Sequence, residues 1–159
     1  MSFDPAEPKT RINIRRATPD DAEALYDLYT NHLTDSPPIE PQDMAVWREK
    51  IARFERDPLY HLLVGEAAGR IVTSVTLVVV ENLTHNLRPY ALIENVVTHA
   101  GYRNRHYATA LMNRAGDMAK EHGCYKIMLL TGSKKDSTLK FYENRGFNRR
   151  DKTAFIKWL

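Results

Sequence analysis

Cysteine is nearly absent: Cys124 stands alone in 159 residues. No disulfide can form within the chain and no centre built on several thiolates is possible; a reducing compartment suits such a chain. Long hydrophobic runs are missing too. No apolar stretch reaches 18 residues, and the first residues lack a basic region followed by an apolar one, so neither a membrane span nor a secretory signal is expected. The reading is a cytoplasmic protein without membrane partners. Charge of one sign is scarce as well: 23 Lys and Arg against 20 Asp and Glu leave a net +3. Without a basic stripe, nucleic acid is not an expected partner. Glycine and proline are scattered rather than gathered into linkers, which predicts a single domain over residues 1–159, with 1–9 flexible. His32, His61, His85, His99 and His122 show no metal-ligand spacing, so no metal is expected.

What is present is a clear alternation of element types. "RINIRRA" alternates Ile12 and Ile14 with charge and predicts a half-buried strand. Thr18, Pro19 and Asp21 form a capping-box pattern that opens a first helix through Leu25 and Leu33. After a proline-rich break, Met44, Trp47, Ile51 and Phe54 recur at helical spacing. "YHLLVGE" and "IVTSVTLVVV", joined by "AAGR", predict a hairpin, and "ALIENVVTH" a further strand. A helix with Ala108, Leu111, Met112, Ala115 and Ala119 on one face follows and stops at Gly123. "YKIMLLT" reads as a strand buried on both faces, Ser137 to Asn144 as a short helix, and "FNRR" with "TAFIKWL" as a closing hairpin. The predicted fold class is therefore α/β: a central mixed sheet of about seven strands flanked by four helices.

Two places carry chemistry. A strand leading through a tight loop into a helix start offers unpaired N–H groups and a positive dipole end, which suits a diphosphate. Arg103 and Arg105 add charge there and the small Ala108 permits close approach; solvated surface arginines are the plainer alternative. In "IENVV", Glu94 and Asn95 interrupt an apolar strand. A buried carboxylate there would have a raised pKa and could serve as a base; a satisfied polar pair at a strand irregularity is the alternative.

The order of elements together with "VVTHAGYRNRHYATALM" resembles the GNAT superfamily of acyl-CoA N-acyltransferases. The resemblance places Arg103, Asn104, Arg105, His106, Tyr107 and Ala108 on the six positions of that family's Arg/Gln-x-x-Gly-x-Gly/Ala loop, whose amides bind the diphosphate of acetyl-CoA; His106 stands where glycine is usual. It also implies that Tyr142 of "LKFYENRGF" protonates the departing thiolate, that an amide near Val96 or Val97 polarises the thioester, and that the protein is a homodimer. Within the superfamily, "HLTD", "THN", "IENVV", "GCYKIMLL" and "KFYENRGF" resemble the glucosamine-6-phosphate N-acetyltransferases. By that likeness Thr34, Glu94 and Asn95 line an amino-sugar pocket, with His85 a further candidate, and Lys157 substitutes for a basic residue contacting the sugar phosphate. Asn95 replaces an aspartate of that family. The expected reaction is direct acetyl transfer from acetyl-CoA to a small primary amine, with Glu94 taking the ammonium proton through water. Another amine, or a CoA-binding module without turnover, are the rival readings.

Overall fold

The computed structural model describes residues 11–33 and 40–159. Thr34 and the segment 1–9 fall outside the described residues.

Strand β1 (Asn13–Arg16) ends where Thr18 and Asp21 close a capping box around Pro19. That turn opens α1 (Ala22–Leu28), which runs into a π-helical turn, Tyr29–Leu33. Helix α2 (Met44–Arg56) starts at Asp43, whose carboxylate accepts from the Ala45 amide at 2.8 Å. Such a cap is worth about 1 kcal/mol. Strands β2 (Tyr60–Ala67) and β3 (Arg70–Val80) form the predicted hairpin. A single turn, α3 (Thr84–Leu87), precedes β4 (Tyr90–Thr98); its His85 and Asn86 have left-handed backbone angles, and the His85 ring stacks on Tyr125 at 3.9 Å. Helix α4 (Tyr107–Glu121), the three-residue β5 (Ile127–Leu129) and α5 (Asp136–Glu143) complete the regular elements.

The five strands lie in sequence order, antiparallel except for the parallel β4–β5 pair. Alternation along β2 divides the core. Leu62 and Val64 face α1 and α2, together with Leu25, Leu28 and Ile51. Leu63, with Val75, Leu77 and Ile93, faces Leu111, Met112 and Ala115 of α4. Gly65 lets α4 come close: a Cβ there would lie 2.4 Å from Ile12, 2.5 Å from Thr73 and 2.9 Å from Leu111.

Two expectations are corrected. The sheet has five strands among the described residues, not seven, because 147–159 forms no strand. Arg149 pairs with Glu143 at 2.9 Å and holds the chain against α5, while Phe155 and Trp158 remain 92% and 89% exposed. Strand β5 is also shorter than "YKIMLLT" suggested and only half-buried. Among the described residues no strand pairs with its outer edge.

Candidate active site

The parallel β4–β5 ladder covers only Ala91, Leu92 and Ile93 opposite Ile127, Met128 and Leu129. Past Ile93, β4 continues to Thr98 while β5 ends, so the ladder between them stops and that edge of β4 is left without a described strand partner. On its other side β4 passes from the Thr76–Glu94 pair directly to the Ser74–Val97 pair. Val75 thus opposes two residues, Asn95 and Val96, in a β-bulge where Asn95 adopts φ 53°. Asparagine tolerates that left-handed geometry better than most side chains. The extra residue changes which way the strand faces. Val96 packs on the α4 side and Val97 on the α1–α2 side, while Asn95 joins the α1–α2 pocket. The amides at the bulge leave the regular ladder, a geometry suited to a developing oxyanion.

The bulge also corrects the picture of Glu94. Both Glu94 and Asn95 are exposed, where the sequence suggested a carboxylate buried in the sheet. The kinked strand turns the pair out to solvent. At Tyr60, close to Glu94, burial first, and then the Glu94 charge, push the phenol above the usual range.

Beyond Thr98 the chain makes a 3-10 turn, Ala100–Tyr102, and reaches α4 through Arg103, Asn104, Arg105 and His106. Asn104 and His106 are left-handed, at φ 63° and 62°. Glycine would suit the His106 position because only there is the geometry free of cost; a histidine pays about 1 kcal/mol. His106 is the N-cap of α4 but its side chain makes no capping bond, leaving first-turn amides free for an anion. Arg103, Asn104, Arg105 and His106 are exposed, and Ala108 is half-buried. Tyr107 is buried, so of its polar groups only the amide can serve a ligand. Arg105 rests over the Tyr102 ring at 5.3 Å. Arg103 is not simply solvated: it donates to the carbonyls of Thr98 at 3.3 Å and His32 at 3.2 Å.

Tyr142 of α5 sits half-buried, edge-on to Phe141 at 5.1 Å and to Phe147 at 6.2 Å. Burial raises its phenol, with Arg145 opposing, so the hydroxyl keeps its proton at neutral pH. Arg145 escaped the sequence reading. It donates to the Phe141 carbonyl and to Thr109 Oγ1, tying α5 to the first turns of α4. Its only signal was its place beside the helix-stopping Gly146. Lys157 lies in the exposed terminal segment and is not part of the pocket wall.

A cavity of about 430 Å³ opens beside the bulge, walled by Tyr29, Trp47, Lys50, Tyr60, Thr76 and Asn95 among others. Tyr29 owes its position to the π-helical turn, its hydroxyl 3.4 Å from Ser74 Oγ. Sequence reasoning placed Trp47 on the helical stripe and missed its second role as a pocket wall.

Histidines form two pairs that spacing did not reveal. Arg16 donates to His61 Nδ1 at 3.2 Å, so His61 carries hydrogen on Nε2 and donates it to His122 Nε2 at 2.9 Å. His32 and His99 lie 4.1 Å apart, and with Asp27 they bring ligand-type atoms within 4.8 Å of one another. Both Nδ1 atoms accept backbone amides, Ala100 to His32 at 3.2 Å and Gly101 to His99 at 3.0 Å. The Nε2 atoms therefore carry hydrogens, the wrong tautomer for holding a cation.

The family model described as "Acetyltransferase (GNAT) family" matches residues 22–147. A glucosamine 6-phosphate N-acetyltransferase from Trypanosoma brucei brucei is 30% identical over 123 residues, 76% of this chain and 79% of that protein. Among solved structures, a putative acetyltransferase from Agrobacterium tumefaciens str. C58 is 36% identical with a TM-score of 0.79, over 92% of this chain and 99% of that one. Glucosamine-6-phosphate N-acetyltransferase from Arabidopsis thaliana also has a TM-score of 0.79, over 93% and 98% of the two chains, at 18% identity, a likeness of fold.

Proposed function

The chain belongs to the GNAT acetyltransferase family, and from that premise we propose that it moves the acetyl group of acetyl-CoA directly to a small primary amine, an amino-sugar phosphate such as glucosamine 6-phosphate. The observation that carries this reading is the bulge at Asn95 and Val96, set just past the last β4–β5 pair and with Asn95 on the pocket wall. Acetyl-CoA enters the cleft with its diphosphate on the amides of residues 103–108 and its thioester oxygen at the bulge, near Val96 and Val97. Its approach needs no metal.

The acceptor occupies the pocket beside Asn95, and Thr34, outside the described residues, is carried as an acceptor contact on the family resemblance alone. Holding both substrates in one cleft supplies much of the rate. Glu94, exposed and next in the chain to Asn95 of the pocket wall, takes the ammonium proton through water, and the neutral amine attacks the carbonyl carbon. The tetrahedral oxyanion is met by bulge amides. As the C–S bond breaks, Tyr142 gives its proton to the thiolate; its raised pKa keeps that proton available.

Two features support a homodimer. Phe155, Ile156, Trp158 and Leu159 are exposed at the end of the chain, and Leu130 is exposed beside the short β5. A second copy would cover this apolar surface and could bring Lys157 to the acceptor's phosphate. A cytoplasmic location belongs to the same proposal; no described helix is long and apolar enough to cross a membrane.

The test is release of CoA thiol from acetyl-CoA with glucosamine 6-phosphate, with unphosphorylated glucosamine alongside. Phosphate-dependent release is expected. Acetyl-CoA binding with no release for any amine would favour a binding module over an enzyme.

A further inference from the structure

The π-helical turn Tyr29–Leu33 is short, yet it links the first helix to the loop ahead of α4 by two hydrogen bonds. His32 is the residue responsible. Its side chain is only 13% exposed and its ring packs on His99 at 4.1 Å. Its Nδ1 accepts the Ala100 amide at the start of the loop, and its carbonyl accepts from Arg103 Nη2 at the far end of the 3-10 turn. The Ala100 amide on Nδ1 sets the tautomer, with hydrogen on Nε2; Asp27 Oδ2 lies 3.7 Å from that Nε2, beyond hydrogen-bond distance but near enough for its charge to suit the arrangement. Arg103 in turn donates to Thr98, the last residue of β4. One histidine therefore holds the loop at two points, 100 and 103, immediately before the left-handed residues Asn104 and His106.

Those left-handed residues cost conformational energy, and a loop that carries them is not held in shape by its own backbone preferences. An outside clamp is needed to keep the amides of the cradle converged on an anion before it arrives. Such preorganisation lowers the ordering cost of binding.

We propose that His32 is a positioning residue for the cofactor loop: it clamps residues 100 and 103 so that the α4 amide cradle is preformed for the diphosphate of acetyl-CoA. The inference rests on the reading that this loop binds acetyl-CoA. Since the clamp comes from the turn that follows α1, cofactor affinity is set from the acceptor side of the molecule.

The experiment is calorimetric titration of acetyl-CoA into wild type, His32→Phe and His32→Asn, with melting temperatures recorded for each. Phenylalanine keeps the ring and loses the acceptor; an asparagine amide oxygen can take the place of Nδ1. His32→Phe is expected to weaken binding about tenfold, the worth of one well-placed hydrogen bond. His32→Asn should stay within about twofold of wild type. Equal weakening in both variants, or none in His32→Phe, would overturn the proposal. If His32→Phe does not fold, hydrogen exchange at the Ala100 amide decides: protection in wild type that persists in His32→Asn supports the clamp, and free exchange in wild type contradicts it. No binding by wild type at all would instead bring down the acetyl-CoA reading itself. Because the readout is cofactor binding, a wrong choice of acceptor amine leaves the outcome intact.

Discussion

The β1–β3 half of the molecule and the β5–α5 end are built to different standards. In the first, β2 and β3 pair along nearly their whole length and Val64, Val72 and Val75 have no accessible surface. In the second, β5 pairs over three residues, α5 has no fully buried side chain, and the chain end exposes Phe155 and Trp158. Strand β4 belongs to both, and its bulge sits where one regime gives way to the other. The closed half supplies rigidity on one side of the bulge, through the β3–β4 pairing. The open end supplies access: β4 past Ile93 has no described partner on that edge because β5 stops early.

The comparison can be broken most severely at Tyr142, on the open side. Tyr142→Phe removes the proposed proton donor but little packing, since the ring contacts with Phe141 and Phe147 remain. Turnover should fall about 100-fold, while acetyl-CoA binding measured by calorimetry stays within about twofold. Equal loss of both would make Tyr142 a packing residue.

On the closed side the largest effect should be on stability. Gly65→Ala places a methyl against Ile12, Thr73 and Leu111 with no room to spare. A cost of about 2 kcal/mol and a fall in Tm of about 6 °C are expected by calorimetry. An unchanged Tm would show that this core yields more easily than its packing implies.

Acid should loosen the same half. Burial first, then the Arg16 guanidinium, then His122, push His61 down to about 4 from an ordinary 6.5. The unfolded chain takes up this proton at higher pH than the native one. Stability carried by neutral His61 is therefore complete above about pH 6.5 and drains away as the pH falls toward about 4, by up to about 1.4 kcal/mol per pH unit. Urea melts across that range should show the slope in wild type and lose much of it in His61→Gln.

The smallest effect on folding is expected where the open end is most exposed. Trp158→Ser should change the stability of a single chain by no more than about 0.5 kcal/mol. The same substitution should weaken self-association in sedimentation velocity. A monomeric wild type would remove the proposed dimer.

The contrast also explains what could be read from sequence. The closed half was legible because its signals are local: the alternation of Ile12 and Ile14, the Thr18–Asp21 cap, and the Met44, Trp47, Ile51, Phe54 stripe each specify their own element. The loop from Arg103 to Ala108 was legible through its resemblance to a family motif, and the structure adds the left-handed backbone that makes glycine usual at His106. The terminal hairpin was misread because alternation in "TAFIKWL" states a capacity to pair without providing the partner. Glu94 was misplaced for a related reason: polarity within an apolar strand does not distinguish burial from a bulge that turns the residue outward. Arg145 and the two histidine pairs depend on contacts between distant segments, which no local pattern encodes.

The most direct measurement is amide hydrogen exchange with and without acetyl-CoA. If the cosubstrate lies in the cleft between β4 and β5, protection should rise at 94–97 and 103–109 and stay unchanged along β2 and β3. Protection elsewhere, or none at the bulge and the α4 start, would contradict that placement.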